Sequence, residues 1–144
     1  MTEDRSITVT TRVEAIPQEA WTAFTSPGAI TQWNFASPDW HCPSADVDLR
    51  VGGRHTARME ARDGSMGFDL TGTYDEVDPP HAVTLVLDDG RRARTTFEPD
   101  GEGTRVTTVF DPENTHSREM QHDGWQAILD SYAAYVSRQQ ETLS

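Results

Sequence analysis

The residues best suited to chemistry lie in one short segment, residues 33–43, which contains the single cysteine of the chain, a histidine and an acid. A thiolate beside an imidazolium is a nucleophile, and a carboxylate can orient the imidazole, so Asp39, His41 and Cys42 suggest a nucleophilic site. However, adjacent residues on an extended chain point to opposite sides, so His41 is poorly placed to activate Cys42. The pattern therefore favours a buried structural cysteine and a His41 that hydrogen-bonds a ligand.

The same segment is rich in large aromatic side chains, namely Trp33, Phe35 and Trp40. Pro38 and Pro43 interrupt it, which argues against a long helix or a central strand. Large apolar side chains in an irregular segment either fill a core or line a pocket. We interpret this segment as part of a pocket wall.

Composition excludes several classes of partner. The chain has 24 acidic and 12 basic residues, a formal net charge of −12, so phosphate backbones and anionic membrane surfaces would be repelled. No apolar run approaches the roughly 20 residues of a membrane span, and no signal peptide is evident. The lone cysteine fits a reducing cytoplasm, and the dispersed histidines predict no metal centre and no cofactor.

The 144 residues predict one domain, 1–144, that is large enough for a core and a cavity. Alternation predicts a first strand over residues 6–13. Pro17 and Pro27 then suit the first turns of two short helices. After the aromatic segment the alternation of strands returns, beginning near Asp46.

A long C-terminal helix is predicted over residues 117–139. Its apolar residues recur at i, i+3, i+4, i+7 and i+11, which marks a buried stripe. These are Trp125, Ile128, Leu129, Tyr132 and Val136. Gln121 extends the stripe toward the start of the helix and could bind a ligand carbonyl or hydroxyl, although a turn exposed to solvent is also compatible with it.

Two hairpins can be predicted in detail. A two-residue loop at Gly64-Ser65 would pair Met59 with Leu70 and would place Glu60 opposite Asp69, with arginines nearby to offset the like charges. Such a carboxylate pair could act as a general acid if it faced a cavity, but the alternation puts it on the polar face.

For the second hairpin, a two-residue loop would set apolar side chains opposite arginines. A three-residue loop, Asp88-Asp89-Gly90, instead pairs Leu85 with Ala93 and Val83 with Thr95. We therefore predict a bulged turn with a left-handed glycine at its end.

Together these elements predict an α+β fold. About six to seven antiparallel strands form a curved sheet wrapped around the long C-terminal helix, and two short helices follow the first strand. A curved sheet around a helix leaves a space between them.

At this level the chain resembles the START-like domains of the SRPBCC superfamily, the helix-grip fold. More narrowly, it resembles the bacterial branch related to the C-terminal domain of the heat-shock-protein-90 ATPase activator. The resemblance lies in residues 13–27 together with Trp33, in residues 49–54 and in residues 124–129. It implies a deep apolar cavity. Superfamily members bind lipids, polyketides, flavonoid-like molecules or hormones, and a few are cyclases or dehydratases.

We assign Trp21, Phe24 and Phe110 to the core, and we assign no catalytic residue. The candidate ligand-binding residues are Trp33, Phe35, Trp40, His41, Met59, Phe68, Leu70, Tyr74, Leu85, Phe97, Gln121 and Trp125.

The leading hypothesis is a non-catalytic binder of a small hydrophobic molecule that is aromatic, polyketide-like or lipid-like, acting as a monomer or homodimer. One alternative is a cyclase, dehydratase or hydrolase in which His41, Asp39 or Tyr74 supplies acid-base chemistry. Another is a co-chaperone-like protein-interaction module.

Overall fold

Seven antiparallel strands form one curled sheet, and three helices pack against it. The computed structural model describes residues 6–143, and it describes side chains for residues 6–139. In chain order the elements are β1 (Ile7–Val13), α1 (Pro17–Thr25), α2 (Pro27–Trp33), β2 (Trp40–Val47), β3 (Arg54–Ala61), β4 (Gly67–Asp78), β5 (Ala82–Leu87), β6 (Arg92–Asp100), β7 (Gly103–Phe110) and α3 (Arg118–Leu143). The predicted helix-grip fold is confirmed. None of the described helices is both long enough and apolar enough to cross a lipid bilayer.

The strand order β1-β7-β6-β5-β4-β3-β2 leaves β1 and β2 at the edges. β2 begins at Trp40 rather than near Asp46, so the aromatic segment was wrongly predicted to be irregular as far as Pro43. An edge strand tolerates Pro43 because a proline there removes no ladder hydrogen bond. The pairing with β3 also shifts between His41 and Ser44, next to this proline.

The β5–β6 hairpin has the predicted bulged turn. Leu85 pairs with Ala93 and Val83 with Thr95, so the apolar faces coincide. The loop closes through the N–H of Leu87, which donates to the carbonyl of Arg91 at 2.8 Å. Gly90 has φ +93°, the left-handed conformation that the bulge requires.

A Gly90→Ala substitution should therefore lower the free energy of unfolding by about 1–2 kcal/mol. A Cβ at this position would meet nothing within 4 Å, so the cost comes from the backbone conformation alone. Gly28→Ala is the matched control, because its Cβ also meets nothing within 4 Å and α2 has an ordinary helical backbone. The control should leave stability unchanged or raise it by up to about 1 kcal/mol. Urea unfolding measures the stability of both variants. Equal losses would contradict the left-handed conformation assigned to Gly90.

The β3–β4 hairpin corrects the predicted register. Its loop has four residues, 62–65, and closes where the N–H of Ala61 donates to the carbonyl of Met66 at 3.0 Å. Met59 consequently pairs with Phe68, not with Leu70. A shift of two residues keeps every side chain on its own face, so the hydrophobic pattern could not reveal it.

Local hydrogen bonds and charge explain the longer loop. Asp63 Oδ1 accepts from both the N–H and the hydroxyl of Ser65, at 2.9 and 2.6 Å, which is a turn typical of aspartate. The observed register also places Arg58, rather than Glu60, opposite Asp69. A cross-strand pair of opposite charges replaces the predicted pair of like charges.

The core lies between the helices and the inner face of the sheet. Helix α3 packs mainly against β1 and contacts α1 and α2. The Tyr132 hydroxyl, which is fully buried, donates to the carbonyl of Ala20 at 2.7 Å and fastens α3 to α1. Helix α2 packs against β2, so the helices lie over both edge strands, and the inner face of the strands between them borders a cavity.

Candidate ligand cavity

A cavity of about 320 Å³ lies between the inner face of the sheet and the helices. Apolar side chains dominate its wall. The lining residues are Val9, Phe24, Thr25, Ile30, Trp33, Asn34, His55, Met59, Phe68, Leu70, Tyr74, Val83, Leu85, Leu87, Arg91, Ala93, Thr95, Thr108, Trp125, Ile128 and Leu129. Strands supply the floor, and α1, α2 and α3 supply the roof.

Several of the candidate residues meet in this wall. Alternation along β3, β4 and β5 directs one face of each strand inward, which is why these strand residues converge. The candidates in the wall are Trp33, Met59, Phe68, Leu70, Tyr74, Leu85 and Trp125. Their contact with a ligand remains a prediction.

Ring packing fixes the two tryptophans of the wall. Trp33 stacks on Phe24 with ring centroids 5.3 Å apart, and its indole N–H donates to the carbonyl of Ala23 at 2.9 Å. Trp125 stacks on Phe110 at 3.9 Å. Phe24 thus lines the cavity as well as the core, although the sequence had assigned it to the core alone. These rings are held by the protein and form a largely preformed wall.

Phe97 lies outside the cavity wall. It is 1% exposed and packs edge-on against Trp21 and Phe24, with ring centroids 5.4 and 5.5 Å apart. Alternation correctly placed Phe97 on the inner face of β6. Helix α1 covers that part of the face, so this aromatic ring belongs to the core.

Gln121 is also outside the wall, because its polar atoms hold the loop that precedes α3. Its Nε2 donates to the carbonyls of Glu113 and His116, at 3.1 and 2.9 Å. Its Oε1 accepts from the N–H of Glu113 at 2.7 Å. The side chain is buried, as the helical stripe predicts, but its hydrogen bonds go to the chain itself.

The remaining candidates lie outside the wall. Trp40 is half-buried with its ring 6.0 Å from that of Phe68, which is itself 50% exposed at the cavity edge. His41 lies 3.8 Å, Nε2 to Oε1, from Glu60. Phe35 is half-buried just after α2 and is not in the wall.

The cysteine segment does not assemble a nucleophilic site. Cys42 is 2% exposed, and its thiol donates to the carbonyl of Ser44 at 3.4 Å, whereas His41 faces Glu60. Burial raises the pKa of the Cys42 thiol, although hydrogen bonds with Asn34 and Ser44 act in the opposite direction. A buried thiol with a raised pKa is a poor nucleophile at neutral pH.

The carboxylate pair is a surface feature. Arg58 contacts both acids, Glu60 at 2.9 Å and Asp69 at 3.5 Å, and all three side chains are more than a third exposed. Solvent screens such charges, so no paired acid chemistry arises there. Within the described residues, no three histidine, cysteine or acidic side chains converge as metal ligands.

The main polar feature of the cavity was not identified as a site from the sequence. His55 Nδ1 lies 2.9 Å from the Tyr74 hydroxyl, and both residues line the cavity. Burial lowers the pKa of His55 to about 4, and it raises the pKa of Tyr74. Both groups are therefore neutral at neutral pH.

A signal for this pair was present in the alternation. His55 shares an inward face with Met59, and Tyr74 shares one with Leu70. In the observed pairing His55 faces Gly72, so Tyr74 is its diagonal neighbour. The signal is that two consecutive strands each carry one polar residue, His55 or Tyr74, on an otherwise apolar inward face.

A curled antiparallel sheet that holds a long C-terminal helix over an apolar cavity defines the helix-grip, or START-like, class of proteins. Proteins with this fold commonly bind hydrophobic ligands. The sequence model of the family described as Activator of Hsp90 ATPase homolog 1-like protein matches residues 14–137. The chain belongs to this family. A search of curated proteins gave no match.

Solved structures agree with this assignment. An AHSA1-like protein from Aeromonas hydrophila is 41% identical, with a TM-score of 0.88 and 94% of each chain covered. A protein from Cytophaga hutchinsonii is also 41% identical, with a TM-score of 0.80 and 96% of each chain covered. A protein from Nitrosomonas europaea is 18% identical, with a TM-score of 0.82 and coverage of 98% and 99%, and it shares the fold.

Proposed function

We propose that this protein binds a small, mainly apolar molecule in the cavity between the sheet and α3. The observation that carries the proposal is the cavity itself, about 320 Å³ in volume and walled largely by aliphatic and aromatic side chains. Ligand sites are typically concave, apolar and largely preformed, with few polar groups. The stacked Trp33 and Trp125 supply rigid aromatic surface of this kind.

The size of the cavity narrows the ligand. Its volume is at the lower end of the range of about 300–1,000 Å³ that is usual for small-molecule sites. A compact molecule of one to three rings suits this space better than a long-chain lipid. The half-exposed Phe68 at the edge gives a route of entry.

Native mass spectrometry of gently purified protein tests the proposal. We expect an excess mass that is released on denaturation, or binding when apolar ring compounds such as naphthalene derivatives are added. A ligand supplied at 100 times its Kd should raise the free energy of unfolding by about 2.7 kcal/mol, which a thermal shift detects.

A variant with a blocked cavity provides a second test, with its own matched control. Ala93→Phe adds a ring at a lining position, and it should abolish the ligand-induced shift. Val109→Phe adds the same ring to the outer face of the neighbouring strand, where Val109 is 38% exposed, and it should bind as the wild type does. If the Ala93 variant folds and binds unchanged, the cavity is not the binding site.

A further inference from the structure

The His55–Tyr74 pair has unused hydrogen-bonding capacity. Two neutral groups, an imidazole and a phenol, carry two polar hydrogens between them, and the 2.9 Å contact uses one. If Tyr74 donates to Nδ1, then the Nε2–H of His55 is left as a donor. If Nδ1–H donates to Tyr74, then the hydroxyl hydrogen is left. In either arrangement the pair retains one donor and one acceptor.

Burial makes this remaining capacity significant. His55 and Tyr74 are 9% and 5% exposed, and both line the cavity. Within the described part of the chain, no hydrogen-bond partner of His55 Nε2 is found. Among the described residues no fully enclosed side-chain nitrogen or oxygen lacks a partner, so His55 Nε2 is accessible from the cavity. A molecule that fills the cavity displaces solvent from this atom and gains by replacing the hydrogen bond that the solvent made.

The other polar side chains of the wall also have partners. Asn34 hydrogen-bonds the Cys42 thiol, and the Thr25 hydroxyl donates to the carbonyl of Trp21 at 2.8 Å. The hydroxyls of Thr95 and Thr108 bond each other at 2.7 Å, and this pair also keeps one hydroxyl hydrogen. A hydroxyl hydrogen can rotate toward whichever neighbour accepts it, whereas the direction of a ring nitrogen is fixed by the ring. The imidazole is therefore the better defined anchor for a ligand.

Arg91, the arginine among the described residues of the wall, is also paired. Arg91 donates from Nε to Asp89 Oδ2 at 2.7 Å. Its charge is offset by this carboxylate. An anionic group placed beside His55 would lose its water without gaining an unpaired positive charge.

We propose that the His55–Tyr74 pair determines the class of ligand: a compact, neutral, apolar molecule that carries a carbonyl or hydroxyl group, which this pair hydrogen-bonds. The inference rests on the proposed function, because it requires a ligand in the cavity. It adds that the ligand is oriented by one polar group and that its carboxylate analogue is rejected.

Four probes of similar shape test the inference: naphthalene, 2-acetylnaphthalene, 2-naphthol and 2-naphthoate. In calorimetric titrations at neutral pH, the ketone and the naphthol should bind about tenfold more tightly than naphthalene, as expected for one net hydrogen bond. Naphthoate should bind more weakly than naphthalene. This comparison uses the wild-type protein alone and so does not depend on any variant folding.

A double variant then locates the preference. His55→Leu with Tyr74→Phe removes both polar partners together, so neither is left unpaired. This protein should bind the ketone no more tightly than it binds naphthalene. Thr107→Val removes a hydroxyl from a threonine pair on the outer face of the sheet, where Thr107 lies 3.1 Å from Thr10, and it should keep the preference.

The outcomes separate the two proposals. If no probe binds the wild type, the proposed function fails, and this inference fails with it. If naphthalene binds but the ketone shows no advantage, or if the double variant keeps the advantage, only the assignment to His55 and Tyr74 is overturned. If naphthoate binds most tightly, Arg91 governs recognition instead.

Discussion

Replacing Phe97 by alanine is expected to lower the free energy of unfolding by about 3–5 kcal/mol. The ring is 1% exposed and is enclosed by Trp21 and Phe24 from α1. Its removal would lose the transfer free energy of a buried aromatic ring and would leave a void, since α1 and the sheet are too firmly packed to collapse fully into it. Urea unfolding followed by circular dichroism measures the loss.

Phe68→Ala is the matched comparison, because it truncates the same side chain on the same face of the sheet. Phe68 is 50% exposed at the edge of the cavity, so its loss should change stability by less than about 1 kcal/mol. It should instead weaken the binding of ring compounds. Equal stability losses in the two variants would contradict the placement of Phe97 in the core and of Phe68 at the edge of the cavity.

The second large effect is a loss of stability in mild acid that originates at His55. Burial lowers the pKa of His55 from 6.5 to about 4 in the folded protein. The unfolded chain therefore takes up this proton first. Stability is unaffected by His55 above about pH 6.5 and falls as the pH decreases toward 4, by about 3 kcal/mol when the whole shift is counted.

Carboxyl groups contribute at the acid end of this range. Local hydrogen bonds lower the pKa values of five of them, so their contributions begin to be lost as the pH approaches about 4.5; these are Asp63, Glu76, Asp88, Asp89 and Glu113. The strongly shifted Asp88, whose pKa is lowered from 3.8 to about 2 chiefly by its hydrogen bond with Arg54, loses its contribution at lower pH. Urea unfolding at pH 7 and at about pH 4.5 measures the total loss of stability, and a variant that lacks His55 separates the share of this residue.

His55→Phe provides the test. It should flatten the dependence of stability on pH between about 7 and 4.5, whatever its effect at pH 7. Thr95→Val changes another polar residue of the cavity wall without removing a titrating group, so it should keep the wild-type dependence. A His55 variant as acid-sensitive as the wild type would show that the effect originates elsewhere.

The sequence was sufficient to predict the architecture because burial imposes its period on the chain. The i, i+3, i+4 stripe of α3 and the two-residue alternation of the strands are direct consequences of facing one core. The β5–β6 register also followed from the sequence, since a loop of the wrong length would set Leu85 against an arginine. A one-residue error is visible in the pattern because it exchanges the two faces.

The two-residue period of side chains on a strand also explains why the predicted β3–β4 register was wrong. Pairing Met59 with Leu70 or with Phe68 keeps the apolar residues together, because the two registers differ by two residues. The hydrogen bonds of Asp63 with Ser65 decide between them, and these depend on the geometry of the loop.

Only the tertiary structure shows which inward-facing residues belong to the core and which border the cavity. Alternation establishes that Phe97, Leu85 and Met59 point inward, but it does not specify what packs above them. The helices cover Phe97, while Leu85 and Met59 border the open volume. Gln121 was likewise buried as predicted, yet the fold of the preceding loop directs its amide to the backbone.

The contact between His55 and Tyr74 is likewise determined by the tertiary structure and not by the alternation alone. Each residue sits at an inward position that the sequence indicates, on neighbouring strands. Whether their polar atoms meet depends on the register and on the curl of the sheet, which bring them to 2.9 Å. A one-dimensional pattern determines which side of a strand faces inward, whereas distances between side chains on different strands are set only when the whole sheet closes over its helices.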